Sequence, residues 1–289
     1  MKSMFLFLLF AFGFNYSAAQ PISFRVMSFN IRLPVQGDGI NYWDLRRPLV
    51  ASTIRYHEAD IIGVQEAFRR QLDEMTIDMP EYAWFGVCRT DGSVVPNPDS
   101  EFSAIIYRKD RFERLDGNTF WLSDTPEVAG SKGWDAAFPR IVTWAKFRDV
   151  KSGKLFFYFN THFDHLGEHA REESAKLLLQ KIREITGNEP VILSGDFNST
   201  DTSKPYLVLT EKESIYSMTD AMFASKSPHH GPLGSFSSSF TLPGVGAYRI
   251  DFIFIRNNIT VLKHAILSDS WDGRLPSDHL PVLAEVRID

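Results

Sequence analysis

Lys154-Leu-Phe-Phe-Tyr-Phe-Asn-Thr-His-Phe-Asp-His165 begins with the clearest strand signal in the chain and ends among polar groups. The run from Lys154 to Asn160 is almost wholly apolar and aromatic, which suits a strand buried in a sheet. Glu168–Ile185 follows as a helix, with Ala170, Leu177, Leu178, Ile182 and Ile185 near one face and Gly187 as its stop. Val191-Ile-Leu193 is a second buried strand, and Ser194-Gly-Asp-Phe-Asn-Ser199 comes directly after it. Strand, helix and strand in succession place the chain in the α/β class.

The same alternation extends in both directions. Phe24–Phe29 reads as a strand, Trp43–His57 as a helix with Pro48 in its first turns, and Asp60–Val64 as a buried strand with Glu66 at its end. Phe102–Tyr107, Arg140–Phe147, Ile250–Ile255 and Pro281–Ile288 supply further strands, rich in Ile, Val, Trp and Phe. Lys226–Ala247, rich in Ser, Pro and Gly, reads as a long irregular loop of the kind that carries function. No linker or repeat interrupts the chain, so one domain over 20–289 is expected.

The first 19 residues read as a signal peptide. Lys2 provides a positive start, Phe5 to Phe14 an apolar run, and Ser17-Ala18-Ala19 small residues for cleavage near Ala19/Gln20. The apolar run is shorter than the ~20 residues of a spanning helix, so export to the periplasm or beyond is expected rather than anchoring. Composition is that of a globular protein, with 44% hydrophobic and 23% charged residues. The net charge of −5, one unit lower once Lys2 is removed, disfavours a protein that holds nucleic acid mainly through phosphate contacts. Cys88 is the only cysteine, so no internal disulfide forms, and a monomer held by its own core is expected.

Polar residues gather next to the apolar strands. Asp196 and Asn198 are two apart, so an extended backbone would aim both at one point with Phe197 packed behind. A carboxylate beside an amide oxygen suits a hard cation or an oriented water, and an Asx-type turn is the plainer alternative. Asp278-His279 places an acid and an imidazole where each reaches a different part of one site. His162 alone would read as a core histidine, but Asp164, His165 and His169 lie close by, which favours a site. His165-Leu-Gly-Glu-His169 has inverted zinc-protease spacing, yet Gly167 breaks the helix that motif requires.

Met27-Ser-Phe-Asn30, Gln65-Glu66, Asn160-Thr-His162, Gly195-Asp-Phe-Asn198, Arg249-Ile-Asp251 and Ser277-Asp-His279 occur in this order across nearly the whole chain. Together they resemble the endonuclease/exonuclease/phosphatase superfamily, closest to exported bacterial members through Trp43…Arg46-Arg47, Phe120–Pro126 and Pro139–Trp144. The resemblance implies a four-layer α/β sandwich of two packed mixed sheets, with the site at one edge. It implies Glu66 as the principal Mg²⁺ ligand (Mn²⁺ as substitute), with Asn30 and Asp278 beside it. Asp196 would hold or deprotonate the attacking water and Asn198 would orient it. His279, fixed by Asp251, would stabilise phosphoryl oxygens, and His162 would line the site. Glu101 is expected to orient His162, and Arg140 either contacts phosphate or forms a structural ion pair. Asp164 and His165 complete the expected substrate-side set.

Those residues suit metal-assisted hydrolysis of a phosphate ester, which needs charge stabilised on non-bridging oxygens and an in-line water. Mg²⁺ takes one or two carboxylates plus waters, whereas a zinc site would want more histidine or cysteine. The resulting expectation is a phosphodiesterase or phosphatase. The alternatives are a secreted scavenging nuclease and a catalytically silent binding module, the latter disfavoured because no ligand is missing. Trp121, Trp134 and Phe138 are expected to be buried rather than to form an exposed aromatic hairpin.

Overall fold

The computed structural model describes residues 21–95, 100–211, 214, 216–242, 244 and 247–289. The expected signal segment, 1–19, lies outside them. The chain runs β1 (Ile22–Asn30), a 3-10 segment (Gln36–Asn41), α1 (Trp43–Tyr56), β2 (Ile61–Phe68), α2 (Arg69–Asp78), β3 (Tyr82–Phe85), β4 (Glu101–Arg108), β5 (Phe112–Trp121), β6 (Ile141–Asp149) and β7 (Leu155–His162). It continues with α3 (Glu168–Thr186), β8 (Val191–Asp196), α4 (Lys204–Thr210), β9 (Thr219–Asp220), α5 (Ala221–Ala224), β10 (Asp251–Arg256), β11 (Ile259–Ile266) and β12 (Val282–Ile288).

Two six-stranded mixed sheets result, ordered β11-β12-β1-β2-β4-β3 and β5-β6-β7-β8-β10-β9. Each holds one parallel pair, β1 with β2 and β7 with β8, joined by a crossover through α1 and α3 respectively. A parallel pair requires such a crossover, and its helix then covers the outer face. Alternation along the strands sends Phe24, Val26, Ile61 and Ile105 inward to meet Phe147, Tyr158, Ile192 and Ile253 of the other sheet. On one outer face Val50, Ile54, Leu72 and Met75 of α1 and α2 pack on Met27, Phe29, Ile62 and Val64. On the other, Ala175, Leu178 and Ile182 of α3 and Leu209 of α4 pack on Phe159, Leu193, Phe252 and Phe254. The layers are therefore α/β/β/α, as the resemblance implied.

A polar stitch crosses the inner layer. Asn160 Oδ1 accepts from Gln65 Nε2 at 2.6 Å and from Ser194 Oγ at 3.2 Å, while its Nδ2 donates to the carbonyls of Val64 and Ala104 at 2.9 Å. Gly63 makes room for it: a Cβ there would lie 2.2 Å from Ser194 Oγ and 2.4 Å from Asn160 Oδ1. The carboxyl ends of both parallel pairs are thereby held face to face, at Asn30, Glu66, His162 and Asp196.

Glu66 does not follow β2 but sits within it. The β2–β4 register shifts between Val64 and Ala67, and Glu66 adopts φ 58°, so a bulge turns its side chain out of the alternation. β3, β5, β11 and α2 carried no clear sequence signal. β5 exposes Glu113, Arg114, Leu115 and Asp116 along an edge, and α2 buries only Gln71, Leu72 and Met75 among charged residues.

Candidate active site

Asp196, the last residue of β8, is the hub. Its neighbours in register are His162 on β7 and Asp251 on β10. Asp196 Oδ2 accepts from Asn30 Nδ2 at 3.0 Å and lies 3.5 Å from His162 Nε2 and 3.8 Å from His279 Nε2. Burial, and then the charge of Asp251, push the Asp196 carboxyl up to about 7.

The chain turns immediately after it. Asp196 Oδ1 accepts from the Asn198 backbone N–H at 3.0 Å, with Asn198 at φ 46°. Asp196 and Asn198 are therefore joined by an Asx turn, the plainer alternative, rather than aimed together by an extended strand. Phe197 packs behind, edge-on to Phe163 and Phe254. Asn198 Nδ2 donates to the Phe163 carbonyl and to His162 Nε2, each at 3.0 Å. His162 Nε2 is thus an acceptor, which makes the ring neutral. Burial, with the nearby charges of Arg140 and Arg89, holds the His162 pKa well below the ordinary histidine value.

His279 behaves oppositely. Its Nδ1 donates to Asp251 Oδ2 at 2.9 Å, and Ser235 Oγ donates to the same oxygen at 2.7 Å. Burial opposes charge on the ring, but Asp251 and Asp196 outweigh it and push His279 up to about 10. One imidazole of the site is therefore neutral and the other cationic.

On the opposite wall, Asn30 Nδ2 also donates to Glu66 Oε1 at 3.0 Å, and Glu66 Oε2 accepts from the Leu33 backbone at 3.1 Å. Asp278 Oδ2 lies 3.4 Å from Arg32 Nη1, and burial with the Glu66 charge raises its pKa. Crowding carboxylates in a buried place costs free energy that a divalent cation would relieve. Among the described residues, Asp196, Asp251 and His279 also offer one ligand atom each within 4.8 Å of one another, a group that could hold a metal ion.

The sequence matches the Endonuclease/Exonuclease/phosphatase family over residues 27–279. The chain belongs to this family. An endonuclease/exonuclease/phosphatase structure from Bacteroides vulgatus is 39% identical, with a TM-score of 0.86, over 93% of this chain and all of that one. A Bacteroides thetaiotaomicron mannosyl-6-phosphatase is 37% identical, with a TM-score of 0.84, over 91% and 99% of the two chains. An uncharacterized protein of Acanthamoeba polyphaga mimivirus is 30% identical over 193 residues, 61% of this chain and 68% of that protein. Endonuclease/exonuclease/phosphatase members hydrolyse phosphate esters, and the chain is an enzyme of that class.

Within this family member, the substrate-side residues form a second cluster. Glu101 Oε2 accepts from Arg89 Nη1 at 2.7 Å, and no hydrogen bond joins it to His162 among the described residues. The expectation that Glu101 orients His162 is thus corrected: Arg89, on the segment paired beside β4, claims the carboxylate. Arg140, buried just before β6, donates from Nε to Asp164 Oδ2 at 3.3 Å and contacts His165 Nδ1 through Nη2 at 3.1 Å. Phe138 is 47% exposed, correcting its expected burial. Its ring stacks on His165 at 5.8 Å and underlies the Arg89 guanidinium at 5.0 Å. His169 points outward with its side chain 62% exposed, in keeping with the rejected zinc spacing.

Two supporting residues had no sequence signal for their roles. Buried Arg46 donates to the carbonyls of Ile31 at 2.5 Å, Arg32 at 2.6 Å, Asn41 at 2.9 Å and Pro276 at 3.2 Å, tying the turn after β1 to the segment before His279. Ser235 lies in the irregular Lys226–Ala247 stretch, and the adjacent Phe236 places its ring 4.8 Å from that of His279.

Proposed function

We propose that the chain is a divalent-metal-dependent phosphomonoesterase acting on a sugar phosphate outside the cytoplasm. The observation that carries the catalytic reading is Asp196, held between a neutral and a cationic imidazole and pushed up to about 7. A base with that pKa accepts a proton efficiently near neutrality. As the water oxygen bonds to phosphorus and the bond to the leaving oxygen breaks, Asp196 takes the water's proton and the departing sugar oxygen takes one from solvent. Asn198 and His162 line the path of that water. His279, kept cationic by Asp251, donates from Nε2 to a non-bridging oxygen where negative charge develops.

Glu66 and Asp278, with Asn30 beside them, would hold Mg²⁺ or Mn²⁺, since such ions favour one or two carboxylates. Bound there, the ion would neutralise phosphoryl charge. The 37% identity to the mannosyl-6-phosphatase supports a sugar monoester as the substrate. Lys2, the apolar run to Phe14 and the small residues before Gln20 support export.

The test uses metal-stripped protein supplied with Mg²⁺ or Mn²⁺ and assayed on mannose 6-phosphate, a chromogenic diester and plasmid DNA. Release of phosphate from the sugar, abolished by chelator, is expected. Activity that survives chelation would remove the metal from the reading, and cleavage of DNA in preference to the sugar phosphate would replace it with a nuclease.

A further inference from the structure

Between the first turns of α3 and α4 lies a cavity that the chemistry above does not use. Its volume is about 610 Å³, inside the ~300–1,000 Å³ of small-molecule sites. Asp135, Glu168, His169, Glu172, Ser199 and Lys204 contribute to its lining. The cavity adjoins the catalytic groups. Ser199 follows Asn198, whose side chain meets His162 at 3.0 Å, and successive Cα atoms are about 3.8 Å apart. From α3, Arg171 also lines the cavity and donates to the carbonyl of Asp164, two residues past His162, at 2.9 Å.

The lining excludes most classes of ligand. The three carboxylates outnumber the cations Arg171 and Lys204, which disfavours an anion. The walls are too polar for a lipid. The carboxylates are also engaged separately rather than gathered on an ion. Asp135 Oδ1 accepts from the Ala170 backbone N–H at 2.6 Å, while Glu172 pairs with Lys176 at 2.9 Å and with Lys204 at 3.5 Å. Among the described residues, the acidic and imidazole groups that converge closely enough for a metal are Asp196, Asp251 and His279 instead.

A neutral molecule rich in hydroxyls fits what remains, because each hydroxyl both gives and takes a hydrogen bond. Glu168 and Glu172 can accept, Lys204 and His169 can donate, and Ser199 can do either. Ser199 is 5% exposed, yet its Oγ makes no hydrogen bond among the described residues. A hydroxyl buried without a partner costs free energy that an occupant's hydroxyl would offset. Trp134, its ring 6.5 Å from that of His169, adds apolar surface beside the polar groups, and a sugar ring has apolar C–H faces to match. We infer that this cavity binds a neutral sugar unit adjoining the one that carries the phosphate, so that the substrate is a phosphorylated oligosaccharide rather than a free monosaccharide phosphate. This inference rests on the sugar-phosphate reading above.

The experiment pairs binding with turnover. Wild type is titrated with mannobiose, which carries no phosphate, while its backbone amide resonances are followed. Shifts at Ser199 and at Glu168, His169 and Glu172 are expected, with Asn30 and Glu66 unmoved. At fixed Mg²⁺, wild type should also hydrolyse mannobiose phosphorylated on one 6-hydroxyl with a kcat/KM about tenfold above that for mannose 6-phosphate. Glu168→Ala and His169→Ala change exposed positions and leave the core untouched. In both variants the advantage of the disaccharide should vanish, while kcat/KM on mannose 6-phosphate stays within about threefold of wild type. Amide shifts confined to the active site, no shifts at the highest soluble mannobiose, equal turnover of the two phosphates by wild type, or an advantage that survives both substitutions overturns the inference and leaves the proposed function standing. A wild type inactive on both sugar phosphates overturns the sugar-phosphate reading itself, and the mannobiose titration then still decides whether the cavity takes a sugar.

Discussion

At the scale of single residues, the site turns on two imidazoles in unlike charge states. His162 accepts a hydrogen bond from Asn198 and stays neutral, while His279 is held cationic by the carboxylates of Asp251 and Asp196 against the effect of its burial. Replacing His279 or Asp196 with alanine should lower kcat by at least about a hundredfold in steady-state assays. Asp251→Asn makes a more specific prediction. Asp251 raises the His279 pKa, so removing its charge lets the ring lose its proton at a lower pH. The alkaline limb of the kcat/KM profile should therefore move down in pH, and a profile limb that stays in place would refute the charge coupling. Asn30, His162, Asp196, Asn198, Asp278 and His279 were legible in the sequence because each belongs to a short block next to a strand. Glu101 was not, because its partner is set by where Arg89 arrives in space. Ser235 was hidden in a stretch whose only pattern is Ser, Pro and Gly.

At the scale of elements, the two strand–helix–strand successions were readable from apolar period and length, while the parallel pairing of their strands emerges only in the sheets. The edge strands β3, β5 and β11 were not, since exposure on a sheet edge blurs the alternation that marks a strand. What holds the paired ends together is Asn160. Asn160→Ala would take the side-chain amide away from the buried carbonyls of Val64 and Ala104, while Gln65 Nε2 would keep Ser28 Oγ and the Gly63 carbonyl as acceptors. A loss of about 2–4 kcal/mol is expected in denaturant unfolding, at least two buried groups being left unpaired. The irregular stretch that delivers Ser235 is anchored by a different pair. His229 Nδ1 meets His264 Nδ1 at 2.9 Å, and His229 Nε2 donates to the Pro232 carbonyl at 2.9 Å. Burial, with His229 and Arg249 nearby, pushes His264 down to about 3 from an ordinary 6.5. Its folded form resists protonation, so its contribution is complete above about pH 6.5 and is lost as pH falls toward about 3. Denaturant midpoints should decline across that window in the wild type, and less steeply in His264→Gln.

At the scale of the whole molecule, net charge and hydropathy set broad limits, while the meeting of the two sheets sets the chemistry. None of the described helices is long and apolar enough to cross a membrane. The sequence could indicate which residues end each strand but not how one sheet sits on the other, because that depends on packing between distant aromatic side chains. Phe24, for instance, lies 4.9 Å from Phe156 and 5.3 Å from Phe112, contacts that no local pattern announces.

Ownership of the site is divided between those sheets. Asn30, Glu66 and the residues leading into β12 belong to one, and His162, Asp196 and Asp251 to the other. The Asn30–Asp196 and His279–Asp251 hydrogen bonds therefore span the joint and act as a gauge of its alignment. A slip of about 1 Å would leave every strand intact and still disable turnover. Under mild denaturant, catalysis should fade before the far-ultraviolet dichroism changes, so that the enzyme reports its own inter-sheet alignment through its rate.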